Sequence, residues 1–162
     1  MQITELGHVV LYVTNIQIMS AFYRDILGFH QIFQEGRLAL FSGGRTHHEL
    51  FLIEIGGTPK PHRVEPGLYH IGFKIGDGPE ALREVYRHLK AQGVEIVGTG
   101  DHTVTHSLYI LDPDGNELEL YADVSDIWKT DPQSILAPVR ALDLDEKSGL
   151  QKTFPYACGL AP

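Results

Sequence analysis

The chain has 162 residues, 43% of them hydrophobic and 21% charged, with 13 Lys and Arg against 21 Asp and Glu and a formal net charge of -8. That composition supports one compact core and excludes disorder or a coiled coil, and the negative charge removes the attraction on which binding to nucleic acid or an anionic membrane depends. No apolar run approaches the ~20 residues that span a bilayer; Glu5 interrupts any secretory signal, and Cys158 is the only cysteine, so no intrachain disulfide can form and the cytoplasm is the expected location.

In chain order, the alternating segment GHVVLYV at Gly7–Val13 predicts a strand. Thr14-Asn15 then caps an amphipathic helix over Ile16–Leu27 that stops at Gly28. Three short strands follow, the last being HELFLIE at His48–Glu54. The segment GGTPKPHRVEPG has no core-forming periodicity and reads as a linker. The same order then repeats: YHIGFKI at Tyr69–Ile75, a helix over Pro79–Gln92 behind Asp77-Gly78 and ahead of Gly93, and three strands ending in NELELYA at Asn116–Ala122. Asp112-Pro113-Asp114-Gly115 turns the last hairpin.

The expected organisation is α+β: one domain over residues 1–125, built from βαβββ modules 1–62 and 63–125, and a C-terminal extension over 126–162. Within the extension, Ser134–Leu142 is predicted as a short helix with Pro138 in its first turn or at a kink. The remainder, with Gly149, Pro155 and Gly159, reads as an extended arm; surface padding is the expectation, ahead of a cover for a site or a reach to a second subunit.

Strand parity separates core from site. Val9, Leu11 and Val13 share one face, as do Ile71, Phe73 and Ile75, so His8 and His70 point away from the helices. Leu118 and Leu120 go to the helix side, leaving Glu117, Glu119 and Tyr121 with the histidines; Leu108 and Ile110 likewise leave Ser107, Tyr109 and Leu111 there. Two imidazoles and one carboxylate suit Fe(II), Mn(II) or another borderline divalent metal with coordination positions left open. A lone strand histidine is ordinarily a packing or surface residue. Two at equivalent positions of a repeat, facing the same side as a carboxylate, are hard to explain as separate accidents. Spacing does not choose between Glu117 and Glu119.

The phrases GHVVLYV, FYRDILGF at Phe22–Phe29, GLYHIGFKI and LYILDPDGNELELYAD at Leu108–Asp123 resemble the vicinal oxygen chelate superfamily of glyoxalases, type I extradiol dioxygenases, epimerases and antibiotic-resistance binding proteins, over roughly residues 3–123. The resemblance implies paired βαβββ modules forming a curved, partly closed mixed sheet around a metal, with His8, His70 and Glu119 at the ligand positions. Its pattern GN-x-x-E-x-Y selects Glu119 over Glu117. Aligning HELFLIE with NELELYA sets Phe51 opposite Glu119, so the fourth ligand of metal-dependent glyoxalases is missing and three open positions would remain on an octahedral ion.

Three further residues resemble the acid-base and substrate-holding groups of extradiol dioxygenases: His48 in THHELFL, His102 in GDHTVTHSLY, and Tyr109. Such groups take a proton from a catechol, hold its phenolate oxygen and later assist O–O cleavage. Simple parity favours His47 over His48, so the choice of His48 assumes an irregular strand start. His106 reads as a bystander, His30, His62 and His88 as surface residues, and Cys158 as inert. The resemblance therefore implies a ring-cleaving dioxygenase using Fe(II), with Mn(II) as the substitute, on an aromatic diol and O2, in a homo-oligomer. The alternatives are a metal-dependent isomerase, lyase or thiol transferase, and a metal-free protein that binds a flat hydrophobic ligand.

Overall fold

The structure is a computed structural model that describes residues 1–59 and 66–145. It divides into two units, Met1–Arg63 with Asp112–Asn116, and Val64–Leu111 with Glu117–Pro162. Among the described residues no helix is long and apolar enough to cross a membrane.

In the first unit, strands β1 (Val9–Val13), β2 (His30–Glu35), β3 (Leu38–Ser42) and β4 (Leu50–Glu54) form a sheet in the order β1-β4-β3-β2. The β1–β4 pair is parallel and the others antiparallel, as a crossover followed by a hairpin requires. Helix α1 (Ile16–Ala21) packs on β3 and β4. Asn15 has extended backbone and its side-chain oxygen accepts from the N–H groups of Gln17 and Ile18, each at 3.0 Å, which is the predicted cap. The helix does not continue in α geometry to Leu27. It widens into a π-helical segment, Phe22–Ile26, in which the Leu27 N–H reaches the Phe22 carbonyl at 3.1 Å.

The π-helical segment carries Tyr23, which is fully buried and donates its hydroxyl to Asp112 Oδ2 at 2.9 Å. Burial pushes the Tyr23 pKa well up, and the adjacent Asp112 charge adds to it. Asp112 also accepts the N–H groups of Asp114 and Asn116, closing the predicted Asp-Pro-Asp-Gly turn, in which Gly115 takes φ 83°. Asp114 in turn accepts the Thr14 N–H at 2.7 Å and the Thr14 hydroxyl. Leu11, Val13, Ile16, Met19, Phe41, Leu50 and Leu52 complete this core.

The second unit repeats the order: β5 (His70–Asp77), β6 (Ile96–Asp101), β7 (Thr105–Leu111) and β8 (Glu117–Asp123) run β5-β8-β7-β6, with β5 and β8 parallel. Helix α2 (Pro79–Ala91) starts behind Gly78 with proline in its first turn, and packs on β5, β7 and β8. Leu82 and Leu89 from α2 join Ile71, Leu108, Ile110, Leu118 and Leu120 in the core, the faces that alternation assigned. The architecture is the expected α+β pair of βαβββ sheets.

Two further expectations need correction. Strand β1 begins at Val9, so His8 stands just ahead of it; backbone pairing starts where the Val9 N–H meets the Glu49 carbonyl at 2.9 Å. The Ser134–Leu142 helix is not formed. Short 3₁₀ turns at Ile127–Lys129 and Pro132–Leu136 occupy the start of the extension, Ala137 leaves helical geometry ahead of Pro138, and Arg140 pairs with Asp101 at the edge of β6. The arm beyond residue 145, Cys158 and His62 lie outside the described residues.

Candidate functional site

In the first unit the residues of interest gather ahead of β1 and β4. The His8 and His48 rings lie 4.6 Å apart between centroids, and His48 also meets His47 at 4.5 Å and the edge of Phe51 at 6.4 Å. Both His47 and His48 precede β4, which starts at Leu50, so strand parity does not govern them. It is His48 whose ring lies against His8, tilted by 37°. Burial lowers the His48 pKa, and the neighbouring His47 and His8 lower it further, which favours a neutral ring able to accept a proton. Glu49 holds this loop by accepting the N–H groups of Gly43, Arg45 and Thr46 at 2.8, 3.1 and 2.8 Å. Burial pushes Glu49 up, but those bonds outweigh it and its pKa is lowered.

In the second unit the strand register sets the site. His70 stands opposite Glu117, Gly72 opposite Glu119 and Tyr109 opposite Glu119, which brings these side chains to the face away from α2. His70 Nε2 lies 3.2 Å from Glu119 Oε2, and its Nδ1 lies 3.6 Å from Glu117 Oε1. The two carboxylates that sequence spacing left equivalent thus address different nitrogens of one imidazole. Tyr109 donates its hydroxyl to Glu119 Oε1 at 3.0 Å, and His102 Nε2 is 2.8 Å from the same hydroxyl oxygen. A phenol has one proton, and an ionised carboxylate only accepts. With Tyr109 donating to Glu119, His102 must therefore donate from Nε2, which assigns its tautomer.

The electrostatics agree with that assignment. Burial pushes the Glu119 carboxyl up, yet the hydrogen bond of His70 first, then Ser107, the His70 charge and the bond from Tyr109 hold it at about 2, so it is ionised at neutral pH. His70 is raised, chiefly by its bond to Glu119 and against the effect of burial. Burial and the Glu119 charge raise Tyr109 far above the usual phenol range, keeping it a neutral donor. His106, 3.8 Å from Asp101, takes no part in this chain of contacts.

Gly72 is a residue that the sequence reading missed. A Cβ there would stand 3.3 Å from Glu119 Oε2 and 3.5 Å from the Tyr121 ring, so the absent side chain is what admits the carboxylate. A glycine inside an alternating strand is the signal that marks such a close approach.

Among the described residues, no three His, Cys, Asp or Glu side chains form a group that could hold a metal ion. Of the expected ligands, His70 pairs with Glu119 in the second unit, and His8 lies against His48 in the first. The donors of the second unit fit a divalent cation in kind: Glu119 is held anionic, and His70 Nδ1 is buried with no hydrogen bond and only the Glu117 carboxylate near it, at 3.6 Å, while Nε2 is turned to Glu119.

Comparison with known proteins bears on the same segments. A family model described as the Glyoxalase/Bleomycin resistance protein/Dioxygenase superfamily matches residues 5–120. A biphenyl-2,3-diol 1,2-dioxygenase from Rhodococcus globerulus is 33% identical over 123 residues, covering 73% of this chain and 63% of its own length. A catechol-2,3-dioxygenase from Bacillus subtilis is 30% identical over 148 residues, covering 88% of this chain and 50% of its own. The chain thus spans between half and two-thirds of the length of these two relatives. Among solved structures, a variant of a fosfomycin resistance protein from Listeria monocytogenes, complexed with Mn(II) and a dihydroxypropylphosphonic acid, superposes with a TM-score of 0.61 at 23% identity, covering 80% of this chain and 100% of its own.

Proposed function

From the premise that the chain belongs to the glyoxalase/bleomycin resistance/dioxygenase superfamily, we propose that it is an extradiol ring-cleaving dioxygenase acting on a catechol-like aromatic with O2. The observation that carries this reading is the contact sequence His102–Tyr109–Glu119–His70, a ligand-type imidazole and carboxylate backed by a phenol and a second imidazole. Phe51 supports it, because a fourth protein carboxylate would occupy a position that a diol or O2 needs. Relatives named as a biphenyl-2,3-diol 1,2-dioxygenase and a catechol-2,3-dioxygenase support an aromatic diol as the substrate class.

In this reading His8, His70 and Glu119 are the residues that would hold Fe(II), with Mn(II) as the substitute. The bound ion would supply Lewis acidity toward adjacent diol oxygens and redox coupling to O2. The chain's own groups handle protons. Tyr109 turns its hydroxyl from Glu119 toward a phenolate oxygen and favours the mono-anion, while His102 keeps that hydroxyl aligned through its Nε2–H. His48, neutral beside His8, takes the diol proton and returns it when the ring opens next to the diol.

The test is anaerobic loading with Fe(II), addition of a panel of catechols including biphenyl-2,3-diol, and admission of air. Oxygen uptake with a coloured ring-fission product is expected. A metallated protein that gives neither across the panel contradicts the proposal. Turnover of a chelating substrate that survives strict anaerobiosis would assign isomerase, lyase or thiol-transferase chemistry in its place.

A further inference from the structure

Strand β6 is an edge strand, and what lies along it is the C-terminal extension. The Arg140 N–H bonds the Asp101 carbonyl and the Asp101 N–H bonds the Arg140 carbonyl, each at 2.9 Å, while the Arg140 guanidinium stands 3.0 Å from Asp101 Oδ2. Further along, the Thr99 hydroxyl donates to the Leu142 carbonyl at 2.7 Å, Leu144 is buried, and Asp145 accepts from Tyr86 of α2 at 2.8 Å. Residues 139–145 are therefore anchored at several points within the second unit. They fall outside the segment matched by the family, residues 5–120.

The anchored residue Asp101 also organises the turn that bears His102. Its Oδ1 accepts the Thr103 N–H at 2.8 Å, and Thr103 takes φ 72°, a left-handed conformation that a β-branched residue rarely adopts. The turn closes through His102 N–H to the Thr105 carbonyl at 2.9 Å and Val104 N–H to the His102 carbonyl at 2.8 Å. Strain of this kind persists only where its surroundings enforce it. Gly100 supplies a second link: a Cβ there would stand 2.9 Å from Val139 Cγ1 and 3.1 Å from His102 Nε2, so the Val139 side chain and the His102 imidazole both crowd the space over one glycine. From His102 Nε2 the next contact is the Tyr109 hydroxyl at 2.8 Å.

We propose that the extension is a strap in which Val139 and Arg140 act as positioning residues, fixing the His102 imidazole and, through it, the hydroxyl of Tyr109. The inference rests on the reading of His102 and Tyr109 as the pair that holds the diol. Covering an exposed strand edge would by itself need only backbone pairing; the strap adds a carboxylate shared with a strained turn and a side chain that shares the space over Gly100 with the imidazole.

The experiment compares the wild-type 162-residue chain with Arg140→Pro, Arg140→Ala, Arg140→Lys and Val139→Ala. Proline removes the N–H that bonds Asp101, whereas alanine keeps both backbone bonds and loses only the ion pair. Nitrogen-detected NMR of the histidine rings in metal-free protein reads the His102 tautomer and the protection of its Nε2–H. Steady-state kinetics of the Fe(II)-loaded protein with a catechol give kcat and KM separately. In R140P the His102 Nε2–H loses protection and kcat falls by about ten- to a hundredfold at unchanged KM, the scale expected when a group is displaced from its working position. R140A shows a smaller change in the same direction, and R140K restores it. V139A moves the His102 ring signals even if R140P does not fold. Unmoved His102 and Tyr109 signals in folded R140P, or in V139A where R140P does not fold, overturn the strap. A wild type that cleaves no catechol contradicts the functional reading, while the NMR arm still decides the strap.

Discussion

The two sheets share strand order, strand pairing and helix-side packing, yet their opposite faces have become unlike. In the first sheet one cross-strand row reads Phe33, Leu40, Phe51, Val10, and the next reads Glu35, Leu38, Ile53, Tyr12. In the second the corresponding rows read Gly98, Tyr109, Glu119, Gly72 and Gly100, Ser107, Tyr121, Lys74. The inner row of the first module, Phe33, Leu40, Phe51 and Val10, is wholly apolar, whereas the corresponding row of the second has the Glu119 carboxylate, the Tyr109 hydroxyl and two glycines. Duplication preserved what builds a sheet and let diverge what a sheet presents. The equivalent glutamates make the same point: Glu49 spends its oxygens on the backbone of a loop, whereas Glu117 lies against an imidazole.

The comparison predicts where substitutions cost stability and where they cost function. Replacing Glu119 with Gln should lower the affinity for Fe(II) or Mn(II) by more than the roughly 10–100-fold that loss of a supporting neighbour costs, with folding intact; equilibrium dialysis measures it. Retained affinity would make the second face a hydrogen-bonding surface and nothing more. Next in size are Leu50→Ala and Leu118→Ala, equivalent positions that are both fully buried. Each should cost about 2–5 kcal/mol in denaturant unfolding, and a large inequality would show that the helix-side faces have diverged too.

Tyr109→Phe should slow ring cleavage by about a hundredfold or more while metal stays bound, as loss of a positioned proton donor does. The mildest pair separates the two glutamates. Glu49→Gln weakens three bonds to a carboxylate and should cost about 1–3 kcal/mol of stability. Because the folded-state pKa of Glu49 is depressed, that difference from wild type is full above the ordinary glutamate pKa and disappears as pH falls through the lowered value, which melting curves between neutral and acidic pH would trace. Glu117→Gln should spare stability by comparison and weaken metal binding about tenfold, through a less firmly oriented His70.

Much of this was legible in the sequence because a period of two is a direct record of burial. Alternation placed Leu108, Ile110, Leu118 and Leu120 in the core and so put Tyr109, Glu117 and Glu119 on the other face with His70. What alternation does not encode are contacts between distant segments. The π-helical turn at Tyr23 accompanies a bond to Asp112, 89 residues away, and the extension follows β6 through a pairing that local pattern at Ser134–Leu142 does not announce. The start of β1 depends on which carbonyl Val9 finds, which moved His8 out of the strand by one residue.

The central proposal is that His8, His70 and Glu119 would jointly hold one divalent ion. Manganese(II) titration of the 162-residue chain, followed by electron paramagnetic resonance, tests it directly in the wild type and in H8A, H70A and E119A. The account predicts one tightly bound ion per chain in the wild type and its loss in each of the three variants. Stoichiometric binding that survives in H8A, or in any one of the three, would contradict it.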